Sequence, residues 1–332
     1  MSVRTNILIA VITMMALLVF APSSSAANRT VEQLSYIAQD KNNERSERIN
    51  ALEQLTSFPS QSALIAIARG LKDNRHDIRE ASVKASAPYQ LTHRWRLLSP
   101  LMDDLVLDVR MAVAENLVVD YAELNAVQRQ QFDPLFDDWA STLILEDTQA
   151  SMMALAQGYL HICDYKAARD VYGKLIERSE GGVDVWIGIA ESYRLNKQDD
   201  EALSVLNDGL VAFPNEPRLL YAKSLTLVRL DEPKLAAKNM DSAAKLAETN
   251  SQYWYVNGVL QEAYDQTLAL DSLIKAYEIS EQPEQLYAIC DFKIRHSDNK
   301  AEVCVMQLEK IAPPHVVANL RSRIEQGDVV TH

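Results

Sequence analysis

In the stretch WIGIAESYRLNKQDDEALSVL, from Trp186 to Leu206, large apolar residues recur at fixed places and small ones at others. Trp186, Ile189, Ala190 and Tyr193 fall at i, i+3, i+4 and i+7, which puts four side chains on one face of a helix. The polar turn NKQDD follows, Ala202 and Leu206 restart the same period, and Pro214 closes the unit. The remaining positions carry mainly acids and amides, with no sequence signature of a nucleophile, metal ligand set or phosphate loop. This spacing encodes the packing of one helix on another, and Ala190 is the kind of small residue that lets two helices approach closely.

The pattern repeats. Moved back by 34 residues it lands on Met152, Leu155, Ala156, Tyr159, Ala168 and Tyr172; moved forward by 34 it lands on Leu220, Ser224, Leu227, Ala236, Met240 and Ala243. A fourth unit starts at Trp254, with the small Gly258 followed by Ala269, Leu273 and Ala276 one residue early. A fifth has Leu286, Ile289 and Cys290, then Ala301, Val305, Leu308 and Pro313, again one residue early. The displacement predicts a shortened inter-helix turn in these last two units. The period resembles that of tetratricopeptide (TPR) repeats. On that resemblance residues 149–313 hold five repeats and 314–332 a capping helix and tail. A helix hairpin cannot bury its apolar face alone, so the units are expected to stack into a right-handed, all-α solenoid.

Upstream the period changes. RINALEQL from Arg48, DIREAS from Asp77 and DVRMAVAENL from Asp108 place Arg48, Arg79 and Arg110 at intervals of 31, with Asp73 and Asp104 in step. Residues 28–119 thus resemble a short array of bacterial HEAT repeats, and the resemblance implies that each arginine pairs with an aspartate to tie neighbouring hairpins together. Surface arginines on ordinary helices are the alternative reading. Residues 120–148, LNAVQRQQFDPLFDDWASTLILE among them, read as junction helices interrupted at Pro134.

The first residues have a different grammar. Arg4, the apolar run ILIAVITMMALLVFA and the small residues of PSSSAA read as a signal peptide over residues 1–26, with cleavage after Ala26 or Ala27. Mature protein would then begin at Ala27 or Asn28, in the periplasm. The alternative is an uncleaved anchor, for which the run is short. A net charge of −13 argues against binding to nucleic acid or to anionic lipid. No stable membrane insertion is expected after cleavage.

Cys163, Cys290 and Cys304 are odd in number, so they cannot all pair internally. None begins a C-x-x-C-H haem-attachment site, and their spacing suits no zinc site, so no cofactor or metal is expected. Cys290 and Cys304 fall on facing helices of the fifth hairpin, where they could form a disulfide or remain two buried thiols.

The order of HEAT-like array, junction and TPR array resembles the C-terminal region of large bacterial multihaem c-type cytochrome family proteins. LDVRMAVAENL, NAVQRQQFDPLFDDW, WIGIAESYRLNKQDDEALSVL and LVRLDEPKLAAKNMDSAAKLA carry the likeness, which runs from about residue 45 to 312. Every C-x-x-C-H motif of that family is missing here, and with them any case for electron transfer. The resemblance implies the haem-free scaffold half, and a multihaem c-type cytochrome as a partner in assembly or docking.

Enzyme signatures are also missing: the six histidines include no H-E-x-x-H, and no G-x-S-x-G occurs. His161 and Cys163 form an H-x-C with no companion ligand in reach by sequence, so an enzyme or metal site would have to be of an unrecognised kind. The expected activity is therefore protein binding. In TPR folds the fifth, ninth, twelfth and thirteenth places of each first helix face the groove. The fifth places here are Met153, Ile187, Tyr221, Tyr255 and Tyr287; neighbouring inward places include Gln157, His161, Glu191, Arg194, Leu225, Arg229, Asp291 and Arg295. Tyr221, Tyr255 and Tyr287, flanked by Arg194, Arg229 and Arg295, suit an extended protein or peptide segment bearing an acidic group. The tyrosines could instead simply pack the inner wall. A general cell-envelope assembly adaptor is a second interaction reading.

Overall fold

The computed structural model describes residues 24–326. Residues 1–23 of the expected signal segment, and the tail beyond Gln326, lie outside them. The described residues form eighteen α-helices and two short 3-10 helices, with no strand among them. They divide into two compact units, 24–181 and 182–326. No helix among the described residues is long and apolar enough to cross a membrane.

The first unit holds α1 (Ser24–Gln39), α2 (Arg45–Leu55), α3 (Gln61–Gly70), α4 (His76–Ala85), α5 (Leu91–Leu98), α6 (Leu107–Val118), α7 (Ala126–Glu146), α8 (Gln149–His161) and α9 (Tyr165–Glu177). Leu52, Leu55, Ile67, Ile78, Val113 and Leu117 form its fully buried centre. A ladder of arginines runs through it. Arg48 of α2 bonds Asp73 at 2.7 Å and donates Nε–H to the Ala38 carbonyl at 3.0 Å. Arg79 of α4 grips Asp104 through two bonds of 2.8 Å. Arg110 of α6 donates to the Asp104 carbonyl at 2.8 Å and reaches Asp138 at 3.6 Å. The 31-residue spacing thus places each arginine one hairpin away from the next, and two of the three grip an aspartate 25 residues on.

Pro134 does not interrupt the chain as its sequence suggests: α7 runs through it from Ala126 to Glu146. Proline removes one helical hydrogen bond and crowds the preceding turn. Here Phe132, Leu135, Phe136, Trp139, Ala140 and Leu143 are buried along one face of α7, and an Asn125–Gln128 capping box secures its start. Burial of that face outweighs one lost bond. Gly158 of α8 fits against it, since an added Cβ would stand 2.4 Å from the Trp139 ring. The first TPR-like hairpin, α8 with α9, accordingly belongs to this unit.

The second unit holds four hairpins and a cap: α10 (Val183–Leu195) with α11 (Asp199–Ala212), α12 (Pro217–Arg229) with α13 (Pro233–Leu246), α14 (Ser251–Gln261) with α15 (Gln266–Ser280), α16 (Pro283–Arg295) with α17 (Ala301–Leu308), and α18 (Pro314–Glu325). Proline opens α12, α13, α16 and α18, where its fixed φ suits a helix start and its missing N–H costs nothing. The small residues sit at the closest approaches. Ser224 donates to the Ala236 carbonyl at 2.8 Å, and a Cβ on Gly258 would lie 2.7 Å from Leu273.

Neither of the last two inter-helix turns is shortened. The turn spans 262–265 in the fourth hairpin and 296–300 in the fifth, against 196–198 in the second. In the fourth, α14 ends early at Gln261, so the residue is lost from the helix and not from the turn. Cys290 of α16 and Cys304 of α17 are bridged, with Cα atoms 5.4 Å apart, and Cys163 is an exposed free thiol.

Candidate peptide-binding cleft

In the second unit, α10, α12, the start of α14 and Leu206 of α11 border a cleft of about 380 Å³. Ile187, Ala190, Leu206, Ala222 and Leu225 give it an apolar floor. The helical period places these residues together: Ile187 and Ala190 lie one turn apart on α10, Ala222 and Leu225 one turn apart on α12. Glu191, Arg194, Arg218 and Arg229 edge the cleft with charge. The rings of Tyr221 and Tyr253 stack at its end with centroids 4.6 Å apart and planes 14° from parallel. Burial pushes the phenol of each above its ordinary pKa; for Tyr221 a hydrogen bond with Gln252 partly opposes the rise. Both stay protonated and uncharged at neutral pH.

The residues singled out by sequence are distributed unevenly. Tyr221, Glu191, Arg194 and Arg229 line the cleft together with Ile187 and Leu225. Tyr255 is 7 % exposed and packs in the core beside Val256 and Leu260, so its ring offers almost no surface to a ligand. Tyr287 is half-buried further along, where Arg323 of α18 hydrogen-bonds it. Arg295 pairs with Glu262 and, at 2.9 Å, with Asp291. Asp291 is also bonded by Arg323 at 2.5 Å. Gln157 and His161 are exposed on α8 of the other unit, and Met153 is half-buried there. Among the described residues no cluster of three or more His, Cys, Asp or Glu could hold a metal.

The cleft arginines already have carboxylate neighbours. Arg194 pairs with Glu191 on the same helix, its Nε–H at 2.6 Å. Arg229 donates Nε–H to Asp199 at 2.6 Å and Nη2–H to the Thr226 hydroxyl at 3.0 Å. Arg218 pairs with Asp184, one repeat earlier. Tyr253 and Arg218 were missed by reading inward places alone, because both stand in the first turn of their helices. Opposite charges at Asp184 and Arg218, one 34-residue period apart, are a signal that the sequence does hold.

Fold and cleft together define an all-α, helical-repeat protein. Residues 154–225 match the tetratricopeptide repeat family model. Among solved structures, yeast Tom70 has the same fold at 12% identity, with a TM-score of 0.55 over 97% of this chain and 69% of that one. YrrB, described as a TPR protein with an unusual peptide-binding site, is 19% identical with a TM-score of 0.45, over 55% of this chain and 97% of its own. MamA of Desulfovibrio magneticus RS-1 is 15% identical with a TM-score of 0.42, over 50% of this chain and 95% of its own. No curated protein matches the sequence significantly.

Proposed function

We propose that this protein is an interaction scaffold, with no catalytic chemistry of its own, that holds an extended segment of a partner protein in the cleft of the second unit. The observation that carries the reading is the cleft itself: an apolar floor built mainly on the first helices of two successive hairpins, bordered by guanidinium groups and closed by a stacked tyrosine pair. An extended chain places alternate side chains on opposite sides, so apolar groups can enter while carboxylates or backbone carbonyls meet the arginines. The finer form of the reading places the protein in the periplasm after export, beside a multihaem c-type cytochrome. Its support is the signal-like N-terminus and the resemblance of residues 45–312.

The test is affinity capture from periplasmic extract by wild type and by Tyr221→Ala and Tyr253→Ala, with the melting temperature of each followed in parallel. Loss of one ring is expected to weaken capture of the main partner by about tenfold, as for an aromatic anchor at an interface. Capture unchanged by both substitutions, with the fold intact, moves the binding surface elsewhere. A c-type cytochrome among the captured proteins supports the finer reading, and its consistent absence overturns it.

A further inference from the structure

The ion pairs at the cleft differ from those of the arginine ladder in one decisive respect. Arg48 and Asp73 are sealed, with side chains 6 and 7 % exposed, whereas Arg229 and Asp199 are 26 and 23 % exposed. Water and a ligand can reach the second pair without opening a core. Arg229 lines the cleft and Asp199 does not, so the aspartate holds the guanidinium from behind. Asp199 is also the first residue of α11, where Asp200 and Glu201 share the first turn. Unsatisfied N–H groups and the helix dipole favour negative charge there, so Asp199 keeps favourable surroundings when its arginine turns away. The Thr226 hydroxyl keeps a second hold on Arg229.

From this arrangement we infer that Asp199 is a specificity-determining residue: an internal competitor that occupies Arg229 in the empty cleft and that a carboxylate of the bound segment displaces. The inference rests on the cleft being the binding site. Binding becomes an exchange of one carboxylate for another, so most of the charge attraction cancels. The wild-type cleft discriminates only weakly between acidic and neutral segments, and its selectivity comes from the apolar floor and the tyrosines. Asp184 acts on Arg218 in the same way but less strongly, since that pair is 61 and 50 % exposed and water already screens it.

The experiment uses two fluorescein-labelled hexapeptide pools, apolar at alternate positions, one with aspartate at two fixed places and one with asparagine there. Asp199→Asn keeps the size of the side chain and removes its charge. It is expected to bind the acidic pool about two- to five-fold tighter than wild type, the range of an accessible ion pair, with the neutral pool unchanged. Asp184→Asn, at a site too exposed to threaten folding, is expected to shift the acidic pool the same way by less. A purely structural role for Asp199 predicts weaker binding of both pools. That result, or an unchanged affinity for the acidic pool in both variants, overturns the inference. If Tyr221→Ala loses both pools while neither aspartate variant gains, the cleft stands as the site and the competitor role falls. If wild type binds neither pool, both fall together.

Discussion

At the residue scale, the turns inside four of the five hairpins repeat one backbone event. Cys163, Lys197, Asp231 and Ser297 each take positive φ, at 65°, 60°, 59° and 51°, just past the end of a first helix. The following N–H reaches back to close the helix: Asp164 to the Tyr159 carbonyl, Gln198 to Tyr193, Glu232 to Leu227 and Asp298 to Lys293. This is the left-handed helix stop that glycine adopts without penalty and other residues adopt at a cost. None of the four is glycine. Asp231→Gly is therefore expected to stabilise the protein by roughly 0.5–1 kcal/mol, discounted by the extra freedom glycine has when unfolded. Urea titration reads the effect as a higher midpoint at constant slope. A lower midpoint would mean that the Asp231 side chain contributes more than its backbone strain costs.

At the element scale, the arginine ladder makes hairpin stacking in the first unit depend on pH. Burial works to raise the Asp73 carboxyl, but the Arg75 backbone N–H and the Arg48 guanidinium outweigh it and hold it below its ordinary value. Asp104 is lowered in the same way, burial being overcome by Arg79 and the Val106 N–H. A carboxyl depressed by folding adds stability that is complete above its unfolded pKa, about 3.9, and is lost as pH falls through the lower native value. Asp73→Asn leaves Arg48 buried without its counter-charge and is expected to cost about 3–5 kcal/mol at pH 7. The difference from wild type should begin to shrink below about pH 4, where the carboxyl of the unfolded chain takes up its proton, and should close only once the depressed native carboxyl is protonated as well. A difference independent of pH in thermal melts between pH 7 and pH 3 would show that size, not charge, matters at this position.

Elements of this kind were largely legible beforehand, because periodicity records which faces are buried. The 34-residue pattern predicts Ala156, Ala190, Ser224 and Gly258 at helix contacts, and all four are buried. The 31-residue arginine spacing becomes real ion pairs. What the sequence hid depends on sums of local terms. Pro134 reads as a break in isolation, and only the buried face from Phe132 to Leu143 outweighs it. Tyr255 reads as an inward-facing ring because its place in the period is right, yet how deeply a side chain sinks depends on its neighbours, and here the core covers it. Tyr253, only partly buried, brings its ring to the cleft from the first turn of the same helix.

At the scale of the whole molecule, the proposed export and the cysteine pairing are one argument, because compartment sets redox state. Cys290 and Cys304 are buried 14 residues apart on the two helices of the last hairpin, and bridging them closes that hairpin before the cap α18. A loop of about 15 residues loses enough unfolded-state freedom on cross-linking to stabilise the native chain by about 3 kcal/mol. In the proposed periplasm that bond forms and persists; in a reducing cytosol the two would remain thiols. Protein recovered from the periplasm should begin at Ala27 or Asn28, and non-reducing peptide mapping should find Cys290 joined to Cys304 while Cys163 takes up an alkylating reagent. Reduction should lower the denaturation midpoint of wild type and leave a Cys290→Ser, Cys304→Ser double variant, already lower, unmoved. Intact Met1 in a membrane fraction would overturn the export reading, and three alkylated thiols in the native periplasmic protein would overturn the pairing.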